Sequence, residues 1–174
     1  MTATIEEALS IWDLFDLEAL ERHVVDGHVR RQIHPSEPLE ILNYTEKAAY
    51  ENVWDFITLT CRGLIYNTAT GAVAARPFRK FFNWGQVGCI VVPLDMPAVV
   101  TDKADGSLGI LYPLPSGGHA VATRGSFASE QAIHATAVLA DRYATFKPDP
   151  GVTYLFEIVY PANRIVLDYG AVDD

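Results

Sequence analysis

Two stretches of the chain carry the pattern of a β-hairpin, and they constrain the fold more than any other feature. In each, two short apolar or β-branched runs flank a turn that contains glycine. The runs are 63–67 and 72–76 around the turn at 68–71, and 108–112 and 119–123 around the turn at 113–118. Strands joined by such short turns pair antiparallel. The sequence therefore predicts an α+β fold with mainly antiparallel sheets.

Helical patterns lie on both sides of these hairpins. Apolar residues between 5 and 25 recur near a period of 3.6, which predicts one amphipathic helix or two short ones. Thr45 followed by Glu46 indicates a helix N-terminus. A longer helix is predicted at 129–143, and its buried face is expected to contain Ile133, Ala137, Val138 and Ala140. Further strands are predicted at 28–34, 39–44, 53–60 and 152–160.

Length and composition fit one globular domain. The chain has 174 residues, of which 49% are hydrophobic, enough to bury one substantial core. No apolar run reaches the ~18 residues of a membrane span, and the acidic N-terminus lacks the basic start of a signal peptide. We therefore expect a cytoplasmic protein with no membrane partner. Cys61 and Cys89 have no metal-ligand spacing, which agrees with reduced thiols.

The net charge of −9 is unevenly distributed along the chain. Residues 1–55 hold 12 Asp and Glu against 4 Lys and Arg, whereas residues 56–174 hold 10 against 9. The acidic, partly helical residues 1–55 are expected to belong to the same domain as the rest. Because anion binding depends on the local field, cations of the second part can still form a positive cleft. The candidates are Arg62, Arg76, Arg79, Lys80, Lys103, Arg124 and Arg164, with solvated surface charges as the alternative.

Lys103 is the strongest candidate for a reactive side chain. It lies between Val99 and Val100, which we predict to be in a strand, and the strand predicted at 108–112. A lysine beside a pocket can act as an amine nucleophile when its pKa, about 10.4 in water, is lowered toward neutrality. Asp105 is expected to orient this loop and not to take part in the chemistry. The alternative is an exposed lysine at a strand end, followed by an Asp-Gly turn.

A carboxylate and a group of aromatic residues are further candidates. Glu157 lies in the strand predicted at 152–160, which reads as buried. Burying an unpaired carboxylate costs free energy, so we expect a cation, a metal or a ligand hydroxyl beside it. The alternative with no role in binding is an ion pair with Arg124 or Arg164. At least two of four aromatic residues are expected in the core, the alternative being a platform on which a base or ribose stacks. These four are Phe78, Phe81, Phe82 and Trp84.

These stretches resemble the motifs of covalent nucleotidyltransferases, the class of DNA ligases, RNA ligases and mRNA capping enzymes. Lys103-Ala104-Asp105-Gly106-Ser107 resembles motif I, Thr123-Arg124-Gly125-Ser126 resembles motif Ia, and residues 156–159 resemble motif III. The stretches at 61–67, 76–83 and 161–169 narrow the resemblance to the phage RNA ligase 1 type.

The resemblance implies a nucleotidyltransferase fold, that of a ligase adenylation domain, over residues 1–174, with antiparallel sheets around an ATP cleft and helices outside. It implies an ATP-dependent RNA ligase that joins 5′-phosphate and 3′-hydroxyl ends of RNA, uses Mg²⁺, and forms lysyl-AMP on Lys103. Contacts to the nucleotide or the RNA 5′-end are implied for Arg62, Lys80, Phe82, Gly106, Arg124 and Glu157. A metal contact is implied for Glu157.

The resemblance stops before motifs IV and V. Neither Glu-Gly nor Lys-x-Lys follows Tyr169. We therefore expect a C-terminal segment or a second chain to supply these motifs. The alternatives are a degenerate or non-catalytic module that binds nucleotide or RNA, and a structural or interaction protein that binds neither.

Overall fold

Two antiparallel sheets form the centre of the protein. The computed structural model describes residues 9–91, 93, 95–97 and 99–174. The first sheet contains, in spatial order, β1 (Val29–Ile33), β2 (Leu39–Tyr44), β3 (Arg62–Asn67) and β4 (Val73–Ala75). The second has β5 (Ser107–Pro113) between β6 (His119–Thr123) and β7 (Leu155–Ile158). Every strand pairing is antiparallel, which confirms the predicted fold class and both hairpins.

Helices flank the two sheets. In the described residues they are α1 (Ile11–Leu14), α2 (Leu17–Val25), α3 (Glu46–Glu51), α4 (Phe56–Thr60) and α5 (Glu130–Arg142), with a 3₁₀ turn at Pro161–Asn163. α1 and α2 are the two short helices that were one of the alternatives predicted for residues 5–25. Residues 5–8 of that prediction lie outside the described residues. Thr45 caps α3 as predicted, because its Oγ1 accepts from the Ala48 N–H at 3.2 Å. None of the described helices combines the length and apolar composition that a bilayer crossing requires.

The layers follow the order helix, sheet, sheet, helix. The core between the sheets contains Leu39, Ile41 and Ile65 of the first sheet and Ile110, Tyr112 and Ala122 of the second. α1 and α2 cover the outer face of the first sheet, where Ile11, Phe15 and Leu20 pack against Leu42 and Leu64. α5 covers the outer face of the second sheet, where Ala135 and Leu139 pack against Leu111, Val121 and Ile158. Successive side chains of β2 therefore point alternately into the core between the sheets and into the core under α1 and α2.

The strand predicted at 53–60 is wrong, because this segment contains helix α4. The Asp55 side chain accepts a hydrogen bond from the Thr58 N–H at 2.9 Å, and the Thr58 hydroxyl oxygen accepts one from the Asp55 N–H at 3.0 Å. This reciprocal capping box pairs two backbone donors at the helix start. It outweighs the β-propensity of the isoleucine and threonines in the segment.

The strand predicted before Lys103 is also wrong. Val99 and Val100 are 90% and 93% exposed and belong to no strand of the described chain. β5, which follows, already pairs with β6 on one edge and β7 on the other. An additional strand next to it would have no free backbone groups to pair with.

The buried face of α5 differs from the predicted one. Ile133 is 61% exposed, and Ala137 and Ala140 are exposed as well, whereas Ala132 is buried. The Thr136 hydroxyl accepts from the Val121 N–H at 3.0 Å and donates to the Val121 carbonyl at 3.3 Å. These two bonds to β6 set the rotation of the helix, which apolar periodicity alone did not reveal.

The strand predicted at 152–160 is shorter and more exposed than expected. β7 occupies Leu155–Ile158 at the edge of its sheet, and within it Ile158 is buried whereas Phe156 is 38% exposed. Val152, before the strand, is 53% exposed. Glu157 is exposed too, so the expectation of a buried carboxylate is wrong.

Candidate functional site

At one end of the inter-sheet core, the facing side chains change from apolar to polar. The positions of β2 that face this core are Leu39, Ile41 and then Asn43. In β6 the buried Ala122 faces the core, and Arg124, two positions later, lies just after the strand. A cleft of about 390 Å³ opens there, within the ~300–1,000 Å³ of ligand pockets. It is lined by Arg30, Asn43, Arg62, Ser107, Leu108, Thr123, Arg124, Gly125 and Gln131.

The first sheet contributes a row of three side chains to this cleft. Arg30 is the register partner of Asn43 on β2, and Asn43 is the register partner of Arg62 on β3. Residues abreast on neighbouring strands project from the same face of a sheet. The row therefore places two guanidinium groups on either side of one amide.

The second sheet completes the cleft with a third guanidinium. Arg124 follows β6, and its Nη1 donates to the Tyr44 hydroxyl at 3.3 Å. Arg30 reaches the same loop, since its Nη2 donates to the Gly125 carbonyl at 3.5 Å. Of the described residues that line the cleft, none is acidic. Three guanidinium groups without a carboxylate favour an anion in the cleft.

The cations influence one another across the cleft. Burial lowers the pKa of Arg62, and the positive charge of Arg124 lowers it further. The pKa of Lys80 is lowered by burial and then by Arg62 and Arg124. Arg62, Lys80 and Arg124 thus lie close enough to repel, and a bound anion would relieve that repulsion. Lys80 and Phe82 do not line the cleft itself but a neighbouring pocket.

Aromatic rings connect these cations. Arg124 lies over the Tyr44 ring at 5.2 Å, and Tyr44 meets Trp54 edge-on at 5.2 Å between centroids. Trp54 meets Phe82 at 5.6 Å, and Lys80 Nζ lies 4.2 Å from the Phe82 centroid. The aromatic faces hold the ammonium and guanidinium groups by cation–π attraction without neutralising them.

Three of the four aromatic residues that follow β4 do not pack in the core. Phe78, Phe81 and Trp84 are 71%, 62% and 68% exposed, and Phe82 is half-buried. The prediction that at least two are core residues is therefore wrong. Phe81 instead lies under Arg62, with the guanidinium carbon 5.1 Å from its centroid. The alternative, a platform on which a base or ribose stacks, stays a prediction for these exposed faces.

Lys103 lies on an irregular loop before β5, with its side chain exposed. It does not line the cationic cleft, although Ser107, four residues later, does. Asp105 holds this loop: its Oδ2 accepts from the N–H groups of Val166 and Leu167, both at 2.7 Å. The Asp105 N–H in turn donates to the Tyr169 hydroxyl at 2.7 Å. Asp105 therefore orients the loop, as expected.

Gly106 and Glu157 lie together at the start of β5. The Gly106 N–H donates to Glu157 Oε1 at 2.9 Å. A Cβ at position 106 would clash with the Ile158 carbonyl oxygen, so glycine is required by the close approach of β7. In the described chain Glu157 forms no ion pair, and Arg164 pairs with Asp168 at 2.9 Å.

Glu157 is a partial fit for a magnesium ligand. Mg²⁺ is commonly held by one or two carboxylates together with phosphate oxygens and water. The Glu157 Oε1 is engaged by the Gly106 N–H, which leaves Oε2 for another partner. Among the described residues, no three His, Cys, Asp or Glu side chains cluster as a metal site of their own. Glu157 is not among the residues that line the cleft, so it offers a phosphate-bound ion at most this one free carboxylate oxygen.

A larger cavity of about 500 Å³ lies between α5 and β7. Its lining is almost entirely apolar, and the charged groups along it are the carboxylates of Glu157 and Asp174. Such a surface does not suit a phosphate, so the smaller cationic cleft is the better candidate for an anionic ligand.

Sequence reasoning missed Arg30, Asn43, Tyr44 and Trp54. The signal for Asn43 was available in the alternation along β2, because residues 39, 41 and 43 share one face. Arg30 could be added only once the register of β1 against β2 was known.

The two antiparallel sheets and the helices that flank them are consistent with a ligase nucleotidyltransferase-type domain. Residues 60–172 match the RNA ligase family of the phage T4 RNA ligase 1 type, and the chain belongs to this family. The family inferred from the motifs is thereby confirmed. Arg30, Asn43, Tyr44 and Trp54 precede the matched region.

Proposed function

We propose that the protein is an ATP-dependent RNA ligase that joins a 5′-phosphate end to a 3′-hydroxyl end through AMP carried on Lys103. Membership of the RNA ligase family supports RNA ends as the substrate. The observation that carries the proposal is the cleft with Arg30, Arg62 and Arg124, in a family whose members use ATP and Mg²⁺.

In the first step, the uncharged Lys103 amine attacks the α-phosphorus of ATP. A nitrogen–phosphorus bond forms, the bond from that phosphorus to the bridging oxygen of the β-phosphate breaks, and pyrophosphate leaves with its electron pair. The attacking nitrogen releases one proton to solvent. Negative charge develops on the leaving phosphate, and cations fixed nearby stabilise it.

The other site residues bind and orient the nucleotide in this proposal. Arg62, Arg124 and Lys80 contact phosphate oxygens, and Phe82 supports Lys80 and lines the site. Glu157 holds Gly106 by a hydrogen bond and offers its second oxygen to Mg²⁺ or to a ribose hydroxyl. Mg²⁺, when bound, supplies further neutralisation of the phosphate charge.

Lys103 has to move toward the cleft for this chemistry. Ser107 at the cleft wall is four positions along the chain from Lys103, a stretch that spans at most ~14 Å. No described residue between 84 and 106 belongs to a helix or strand, so no ladder holds the described part of this backbone. We propose that nucleotide binding draws the amine in.

The test is labelling with ATP that carries radioactive α-phosphorus, in the presence of Mg²⁺, followed by denaturing electrophoresis. The wild-type protein should retain the label, and Lys103→Ala should not. Lys147→Ala is the matched control, because Lys147 is an exposed lysine away from the cleft. A nitrogen–phosphorus bond should release the label in acid and retain it in base.

Retention of label by wild type and Lys147→Ala, together with its loss in Lys103→Ala, supports the proposal. A wild-type protein that ATP stabilises against heat but that takes up no label is a nucleotide-binding module, and this result overturns the covalent mechanism. Label that persists in Lys103→Ala also overturns the assignment of the nucleophile.

A further inference from the structure

We propose that Asn43 is a specificity-determining residue of the cleft, whose side-chain carbonyl accepts a hydrogen bond from a ribose hydroxyl of the bound nucleotide. This inference rests on the proposed nucleotide substrate of the same cleft. It assigns a role to a residue of β2, outside the region that matches the family.

The amide of Asn43 is buried and half satisfied. The residue is 5% exposed, and its Nδ2 donates to the Tyr44 carbonyl at 2.6 Å. Its Oδ1 is buried and has no donor among the described residues. Buried polar atoms in proteins are almost always paired, so an orphan acceptor in the wall of a cleft points to a donor on the ligand.

Neighbouring side chains do not supply that donor, although two of them are guanidinium groups. Arg30 and Arg62 flank Asn43 in the strand register. Arg30 Nη2 is directed at the Gly125 carbonyl, and Arg62 Nη1 donates to the Phe78 carbonyl at 3.3 Å. The acceptor thus stands between two cations that are held by other groups.

The ligand therefore has to present an anion and a hydrogen-bond donor side by side. In a nucleotide the ribose is bonded directly to the phosphate, so its hydroxyls lie a few bonds from the charge that the arginines attract. The amino group of adenine lies at the far end of the molecule. With cations on both sides of Asn43, the ribose hydroxyl is the donor that fits this position.

The experiment measures nucleotide affinity by calorimetry in the Lys103→Ala background, so that no transfer consumes the ligand. ATP, 2′-deoxy-ATP, 3′-deoxy-ATP and inosine triphosphate are compared for the protein with Asn43 and for Asn43→Leu and Asn43→Asp. Asn43→Asp keeps an acceptor of the same shape but loses the Nδ2 donor to the Tyr44 carbonyl, whereas Asn43→Leu removes both donor and acceptor. Thermal unfolding of each variant establishes that it is folded.

We expect one deoxy analogue to bind about 2- to 10-fold more weakly than ATP when Asn43 or its aspartate replacement is present, the range of one net hydrogen bond. In Asn43→Leu this difference should disappear. The weaker binding of inosine triphosphate, where it occurs, should be the same in all three proteins.

Equal discrimination against the deoxy analogues with and without the acceptor overturns the inference and leaves the ligase proposal standing. Loss of discrimination against inosine triphosphate instead assigns Asn43 to the base and also overturns it. Conversely, hydroxyl discrimination that depends on Asn43, in a protein that takes up no label on Lys103, supports the inference and removes only the covalent mechanism. If Asn43→Leu does not fold, Asn43→Ala takes its place, because it also removes the acceptor: loss of the discrimination in Asn43→Ala supports the inference, and its retention overturns the inference.

Discussion

Arg62 lies directly beside Asn43 in the pairing of β3 with β2, although an uninterrupted register would place Gly63 there. The register shifts between Leu42 and Asn43, so Gly63 is the additional residue of a β-bulge. Gly63 has φ +87°, a conformation that glycine adopts readily. The bulge leaves Leu64 in the outer core and places Arg62 in the cleft.

Gly63→Ala is expected to destabilise the protein more than Gly→Ala at another position that has a positive φ but open space around the Cβ position. A Cβ at Gly63 would lie 2.5 Å from Cδ1 of the buried Ile110 and 3.3 Å from the Arg124 carbonyl oxygen, in addition to the unfavourable positive φ. Gly118→Ala is the matched control, since Gly118 has φ +82° with open space around its Cβ position. In urea unfolding, Gly63→Ala should lose at least about 1 kcal/mol more free energy of unfolding than Gly118→Ala, which is the scale of an overpacked contact. Equal losses would mean that the sheets do not approach as closely as described.

Arg62→Gln is expected to weaken ATP binding at least tenfold. The substitution keeps some hydrogen bonding but shortens the side chain and removes the charge beside Arg124 and Lys80. A hydrogen bond to a charged group contributes ~1.5–3 kcal/mol, and 1.4 kcal/mol is a factor of ten. Calorimetry should find unchanged affinity for Arg22→Gln, an exposed arginine on α2. A similar loss in both variants would indicate a general charge effect and not a site.

Phe81→Ala is expected to change the free energy of unfolding by less than about 1 kcal/mol. The ring is 62% exposed and contacts Arg62 from outside the core. Phe15→Ala, at a residue that is 5% exposed in the outer core, should cost ~3–5 kcal/mol. Chemical denaturation of the two variants distinguishes an exposed platform from core packing, which would make the two losses alike.

Asp105 should stabilise the protein at neutral pH and lose that effect in acid. The N–H groups of Leu167 and Val166 lower the pKa of Asp105 below its ordinary value. A carboxylate with a lowered native pKa adds stability above the unfolded pKa of about 3.9, and this is lost as the pH falls through the native pKa. Asp105→Asn should therefore be less stable than wild type at pH 7, with the gap closing below about pH 4.

Hydrogen exchange of the Leu167 amide should report the same change locally. Its exchange in Asp105→Asn is expected to be faster than in wild type at pH 7, because the charged acceptor is gone. Asp141→Asn is the control, since Asp141 is an exposed carboxylate near the end of α5. A stability gap that is independent of pH would contradict the role of the ionised carboxylate.

The two cysteines should differ sharply in reactivity toward a maleimide. Cys61 is fully buried, and burial raises the pKa of its thiol, so little thiolate is exposed to reagent. Cys89 is half-buried. Mass spectrometry should find one label, on Cys89, in the native protein and two labels in denaturant. Rapid native labelling of Cys61 would show that the core under α4 opens.

Local sequence patterns predicted most of the elements but not how they are turned or paired. The hairpin of β5 and β6 and the cap of α3 depend on contacts within a few residues, so turn chemistry and capping rules were sufficient. α4 was missed because its Asp55–Thr58 capping box lies in a segment of high β-propensity. The face of α5 was missed because it depends on Thr136 and Val121, which are on different elements.

The same distinction applies to the site. The sequence by itself determined the family, through motifs that carry Lys103, Arg124 and Glu157, and it named Arg62 and Lys80 among the candidate cations of a positive cleft. Only the tertiary structure decided that Arg30 and Asn43 lie in one cleft with Arg62 and Arg124. It also decided that Lys103 lies on an exposed loop, which Asp105 binds to residues 166 and 167, more than sixty positions along the chain. Periodicity and turn residues act over short windows, whereas strand register, bulges and the packing of one sheet on another join residues that are distant in the chain.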